Sequence, residues 1–259
     1  MTPLFEHATE LTLMVQDLFR AGFLVFIRVG AAMALLPAFG EMTLPARVRL
    51  TIALAFTAIV FPAVSDRVPA FDGSPVALGI EAAIGLVLGM SLRLFVLALQ
   101  TAGTIAAQAV SLSQMFGSPS GEPQPVIGNV LTLAGLAIAV AGGLPVRLAE
   151  FLILSYDLLP AARLPVAGDV ADWGLQLIVH TFALAFMLSM PFVAASFVFN
   201  VALGIINRAM PQLMVFFVGA PALTFGGLVL LALSAPLALG LWVTRLGDFL
   251  DNPSVVAPP

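Results

Sequence analysis

The chain has 259 residues, 61% of them hydrophobic and 9% charged, with a mean hydropathy of +1.10. Soluble domains are about 45–50% apolar and about 25% charged, so this composition excludes a soluble domain and specifies an integral membrane protein. The net charge is −4, every basic residue is Arg and cysteine is absent, which removes disulfides and thiolate metal sites and, with no basic cluster, argues against nucleic acid and anionic-lipid docking.

A membrane span needs about 20 apolar residues, and the pattern predicts six long hydrophobic segments. The N-terminal MTPLFEHATE is acidic, unlike a cleaved signal peptide. The first segment runs from Leu11 to Leu36, the second from Val48 to Phe61 behind a helix-starting Pro45. The third stays helix-compatible from Pro75 to Met115, about twice the length a bilayer core requires. A fourth, Val126 to Leu159, is broken by Gly142, Gly143 and Pro145 and reads as two shorter helices. The fifth, Trp173 to Asn207, is interrupted at Pro191; the sixth, Pro211 to Leu246, carries Pro221 and Pro236. Prolines in membrane helices survive where neighbouring helices satisfy the freed carbonyls. The fold expected is therefore all-α, with six long, kinked helices arranged as hairpins and packed within a multi-subunit assembly.

Trp173, Trp242 and Tyr156 lie near segment ends beside charges, the placement of an interfacial belt. Arg47, Arg49 and Arg208 mark two basic turns, which the positive-inside rule puts in the cytoplasm with both termini outside.

Enzyme motifs are missing: the two histidines, His7 and His180, have no paired ligand spacing, and there is no GxSxG elbow or Walker loop. No cofactor is expected, and His180 reads as a packing residue. Arg28 in LVFIRVGAAM and Arg93 in GMSLRLF are charges inside apolar runs. A mid-membrane Arg costs about 2.5–3.5 kcal/mol on insertion scales, so it pairs or faces a cavity. Each either pairs with an acid, such as Glu81 or a partner's carboxylate, or lines a pore. Gly85 and Gly89 form a GxxxG step, and Gly103 with Ala107 a similar one, both suited to close helix packing.

The most unusual stretch is SLSQMFGSPSGEPQP, Ser111 to Pro125, between two long uncharged runs. Gly117, Pro119, Gly121, Pro123 and Pro125 exclude a regular helix. Such a loop is either a water-exposed turn or buried backbone lining a cavity. Met115 and Phe116, two large apolar side chains at its mouth, favour the second reading.

Three blocks carry a family resemblance. Arg28 is followed by LPAFGEMTLPARVRLTIALA, the middle of the chain reads AGTIAAQAVSLSQMFGSPSGEPQPVIGNVL, and the last block is NVALGIINRAMPQLMVFFVGAPA with its Asn-Arg-x-x-Pro-Gln signature. Together they resemble, over essentially the whole chain, the FliR family of flagellar type III export-gate subunits and their injectisome counterparts. The resemblance implies a non-enzymatic subunit of the bacterial inner membrane, in the flagellar basal body, that forms and seals a channel for unfolded flagellar subunits. It implies FliP-like and FliQ-like membrane partners and an FlhB-like export component. It divides the chain into a FliP-like portion, 1–172, with its plug loop at 111–125, and a FliQ-like hairpin, 173–250. It assigns Leu112, Met115, Phe116 and Gly117 to the channel seal, and Arg208, Pro211 and Gln212 to a cytoplasmic hairpin tip. This chain departs from the family in having Ser118–Pro119 for a common Asp-Pro, and Gly143–Leu144 for a common Gly-His. The rival class is a secondary transporter, which would need an inverted repeat and convergent polar groups near the midplane.

Overall fold

Proline and glycine set the helix boundaries of this chain. In the computed structural model, which describes residues 2–36, 45–69, 73–111, 126–210 and 215–254, Pro45 stands in extended geometry (φ −54°, ψ 141°) immediately before a helix, and Pro75 opens the next. A proline suits this position because its missing N–H would have no partner there in any case. The elements, in chain order, are α1 (Thr2–Leu35), α2 (Ala46–Val64) with a short 3₁₀ turn at Ser65–Arg67, α3 (Pro75–Ser111), α4 (Val126–Ala141), α5 (Leu144–Leu158), α6 (Ala167–Ala209) and α7 (Val215–Asp251). There is no strand among the described residues.

The break expected at Gly142–Gly143 is where α4 ends and α5 begins. Gly143 sits at φ 86°, a left-handed conformation that a side chain would strain, and Pro145 follows in the first turn of α5. Pro191 behaves differently from the expectation: α6 is one continuous helix of 43 residues across it. At 1.5 Å per residue α6 is roughly 65 Å long, about twice a bilayer core. Five described helices are long and apolar enough to cross a membrane, or six if α4 and α5 together make one broken span. The protein is thus an all-α integral membrane protein, with the six-segment pattern kept and the fourth segment split.

The helices build two compact units. One gathers the described residues of Met1–Arg93, Gly143–Gln176 and Phe249–Val256; the other those of Leu94–Gly142 and Leu177–Asp248. Helices α3, α6 and α7 each contribute to both. In the first unit, α1 buries Leu24, Val25, Val29 and Ala32, α2 buries Phe56 and Val60, and α5 buries Leu148, Phe151 and Leu152. On α3, Gly85 lies against the backbone of α1: a Cβ there would collide with the Arg28 carbonyl and the Ala31 side chain. Gly89, one turn on, lies equally close to the Ala32 carbonyl. The GxxxG step read from the sequence is thus a crossing of α3 over α1.

The second unit has its own close crossing, where Gly103 of α3 meets Gly128 of α4 with no room for a side chain. Ala106, Ala109 and Phe192 pack beside it with Ile127 and Leu230. Trp242 is fully buried there, its indole N–H donating to the Phe95 carbonyl at 2.8 Å. The belt placement expected of Trp242 is therefore corrected. Its neighbours in sequence are polar, but its helix face turns inward, and the buried N–H has found the partner that it needs.

Candidate functional site

Helix periodicity brings the site together. Glu81 precedes Gly85 by four residues, so the carboxylate and the glycine share one face of α3. Because Gly85 lets α3 approach the backbone of Arg28 itself, the guanidinium and the carboxylate meet in the first unit without solvent. Arg28 and Glu81 are both 0% exposed, with Nε donating to Glu81 Oε2 at 2.6 Å and Nη2 to Oε1 at 3.1 Å. This is the two-pronged geometry that makes Arg the strongest cationic partner for a carboxylate.

The rest of the guanidinium is also satisfied. Nη1 donates to the backbone carbonyl and the Oγ of Ser155, both at 3.3 Å, and Nη2 to the Leu159 carbonyl at 2.9 Å. Ser155 and Leu159 stand at the C-terminal end of α5, where the helix dipole favours a cation. The Ser155 carbonyl also accepts the Leu159 N–H at 2.9 Å, whereas the Leu159 carbonyl is one of the last-turn acceptors without a helical partner. Arg28 therefore caps α5. The Tyr156 ring lies under the guanidinium, 3.8 Å from its carbon to the ring centroid, a cation–π contact. Ser155 Oγ donates its own proton to the Leu152 carbonyl at 2.6 Å.

Glu81 does a second job. Its Oε1 accepts the Ala162 N–H at 2.8 Å, and Ala162 has φ 56°, a left-handed conformation uncommon for a residue with a side chain. The carboxylate thus holds the bend by which the chain leaves α5 towards α6. One buried ion pair ties α1, α3, the end of α5 and the loop after it. Nearby, Arg67 and Asp157 form an exposed pair at 3.3 Å, about half accessible on each side, of a kind worth roughly 0–1 kcal/mol.

Chemically the cluster is a fastener. Every polar hydrogen of the Arg28 head has an acceptor, so it offers no free donor to a substrate. Of the two alternatives read from the sequence, Arg28 has the structural pair, with Glu81. Arg93 is exposed on α3 with no ion-pair partner among the described residues. His180 is buried and packs its ring against Phe95, centroids 6.2 Å apart.

Tyr156 was expected in the interfacial belt and is instead 3% exposed under Arg28. Trp173 fits the belt better, half-buried near the start of α6, its indole donating to the Pro253 carbonyl at 2.8 Å. Ser155, Leu159 and Ala162 had no place in the sequence reading. The one available signal was Ser155–Tyr156, the polar pair in the apolar run FLILSY. Of the sealing and tip residues, Leu112, Met115, Phe116, Gly117, Pro211 and Gln212 lie outside the described residues. Arg208 is exposed in the last turn of α6.

Comparison with known proteins adds identity to this geometry. The model of a family described as bacterial export proteins, family 1, matches residues 19–249. The chain is similar to the flagellar biosynthetic protein FliR of Caulobacter vibrioides, 35% identical over 234 residues, covering 88% of this chain and 93% of that protein. It is also similar to the protein of the same name from Bacillus subtilis, 31% identical over 213 residues, 79% of this chain and 82% of the other. The Escherichia coli protein of that name is 27% identical over 219 residues, 83% and 84% of the two chains.

Proposed function

The chain belongs to the bacterial export proteins, family 1, and on that footing we propose that it is a subunit of the flagellar type III protein export gate, through which unfolded flagellar subunits cross the inner membrane. The observation that carries the reading is the 35% identity to a flagellar biosynthetic FliR over 88% of the chain. The relatives named above are flagellar, which favours the flagellum over an injectisome. Residues 1–172 act as the FliP-like portion and 173–250 as a FliQ-like hairpin, within a complex of FliP-like and FliQ-like subunits and an FlhB-like component. Exposed apolar side chains on α6 and α7, such as Phe186, Phe197, Leu233 and Leu237, suit a protein whose surroundings are lipid and other helices.

Leu112, Met115, Phe116 and Gly117 close the channel in this reading. Methionine and phenylalanine fill an irregular gap without fixed polar contacts, so the plug can part and re-form. Complexes purified through this chain should contain distinct membrane partners, and the double variant Met115→Gly, Phe116→Gly should conduct ions in planar bilayers where the parent complex does not. A chain that purifies alone or as a homo-oligomer points to a transporter and defeats the gate reading. An intact complex with unchanged conductance defeats the seal alone.

Arg208, Pro211 and Gln212 form the hairpin tip facing the cytoplasm. A cysteine at position 208, introduced into this cysteine-free chain, should react with membrane-impermeant maleimide only in inverted vesicles. Labelling in intact spheroplasts would reverse the orientation.

A further inference from the structure

The loop that Glu81 holds does more than connect α5 to α6. It forms one wall of a cavity of about 490 Å³ in the first unit, within the 300–1,000 Å³ range of small-molecule sites. Its lining is mainly apolar, with Phe151 and Leu158 from α5 and Leu164 from the loop. The lining groups that differ are Ser155, Arg163, Asp169, Trp173 and Ser254, of which Arg163 and Asp169 carry the charges. Arg163 and Asp169 are exposed, and among the described residues neither has an ion-pair partner, the other included.

The position of the cavity narrows the choice of ligand. It opens where α5 ends and α6 begins, the first passing as a membrane segment only as half of a bent pair with α4 and the second long and apolar enough by itself. Trp173 is the kind of residue that marks the membrane–water boundary. An apolar chamber beside such a boundary residue suits an acyl chain. A separated cation and anion at its rim match a headgroup that carries both charges. The wall is also fixed in advance, since Glu81 holds the Ala162 N–H and the Arg163 N–H donates to the Pro160 carbonyl at 3.4 Å. Little conformational freedom of the wall would be lost on binding.

We propose that this cavity binds one zwitterionic phospholipid with a primary ammonium: an acyl chain lies against Phe151, Leu158 and Leu164, the phosphate accepts from Arg163, and the ammonium donates to Asp169. The proposal does not depend on the export reading. Anionic lipid would leave Asp169 facing a net negative headgroup. Phosphatidylcholine offers the phosphate, but its quaternary nitrogen has no hydrogen to donate.

The chain has two tryptophans, so replacing Trp242 by Phe leaves Trp173 as the only indole reporter. The full-length variant, reconstituted in phosphatidylcholine vesicles, is titrated with phosphatidylethanolamine brominated in its acyl chains, which quenches a neighbouring indole. The ethanolamine lipid should show an apparent affinity about threefold above brominated phosphatidylcholine, the size expected for a rim-exposed charged contact. Arg163→Gln and Asp169→Asn should each return it to the phosphatidylcholine value. Equal quenching by all headgroups overturns the site, as does a preference for phosphatidylglycerol that survives Asp169→Asn. Because Trp242 is buried and bonded, the test has a second arm with both tryptophans intact. A photo-crosslinking residue at position 164, in complexes taken from cells, should acquire the mass of phosphatidylethanolamine. Capture of a protein there, or of nothing, equally defeats the proposal.

Discussion

Glu81→Gln should destabilise the protein by about 3–5 kcal/mol, the range measured when one partner of a buried ion pair is removed. The substitution keeps the volume of the side chain and an oxygen able to accept the Ala162 N–H, so the loss is that of the charge and of the acceptor for the Arg28 Nε–H. Arg28 would remain 0% exposed among apolar neighbours with a neutral amide where its carboxylate had been. Arg28→Met should cost a similar amount for the opposite reason, leaving the Glu81 carboxylate buried, the end of α5 uncapped and Tyr156 without its cation. The double variant Arg28→Met, Glu81→Met separates this from a packing effect. With both charges gone no ion is stranded, and exchange of a buried pair for apolar residues of similar volume is often neutral or better. The double variant should nonetheless stay below the parent by about 1–3 kcal/mol, because the Ala162 N–H loses its acceptor. Reversible denaturation in detergent micelles gives these values and that of Glu81→Met, the single variant that closes the cycle with Arg28→Met; a coupling energy close to zero would show that the pair does not act as a unit.

The pairing itself was accessible from the sequence, and its reach was not. Arg28 in an apolar run demanded a partner, and Glu81 was the acid most deeply set in another such run. That inference needs only the expense of a lone charge in lipid. What it could not deliver was the third helix. Leu159 and Ala162 contribute backbone atoms alone, which every residue possesses, so no residue type announces them; Ser155 adds its hydroxyl to its carbonyl, a weak signal in an apolar run. Tyr156 and Trp242 were misplaced for a related reason: position near a charged segment end describes depth, whereas burial depends on which way a helix face turns. Pro191 was expected to interrupt α6 because a proline interrupts helices in water, yet the helix runs on to Ala209. In a membrane setting the alternative to a helix is unsatisfied backbone, which costs more than one lost hydrogen bond. The N-terminus was read as starting at Leu11 because hydropathy measures what can sit in lipid, while α1 begins at Thr2, and Glu6 and Glu10 are acceptable to a helix though not to a span. Gly142–Gly143 was legible because its cause is local: only glycine adopts φ 86° without strain. The FliR signature blocks, finally, identified the family without locating a site, since most of the residues they assign to sealing and to the tip lie beyond what the structure describes.

Gly85 supplies the second large effect, and it acts through the same pair. Exchange of a helical glycine for alanine ordinarily stabilises by about 0.5–1 kcal/mol, because the backbone loses less freedom on folding. Gly79, earlier on α3 with nothing within 4 Å of where a Cβ would stand, should follow that rule. Gly85→Ala should do the reverse. Its Cβ would meet the Arg28 carbonyl oxygen and the Ala31 Cβ, and the first of these is backbone that cannot rotate aside. Helices α1 and α3 must separate, at an overpacking cost of about 1–3 kcal/mol. Separation also draws the guanidinium off a carboxylate that it now meets at 2.6 Å, so part of the ion-pair loss is added and Gly85→Leu falls further. The consequence is non-additivity: in a Glu81→Gln background, where the pair is already broken, Gly85→Ala should cost only its steric share. A double-mutant cycle reads this directly. If the two losses simply sum, the crossing and the charge are independent, and Gly85 serves packing alone; if they overlap by about 1 kcal/mol or more, as the shared geometry requires, the glycine is the element that lets a membrane-buried arginine reach its partner.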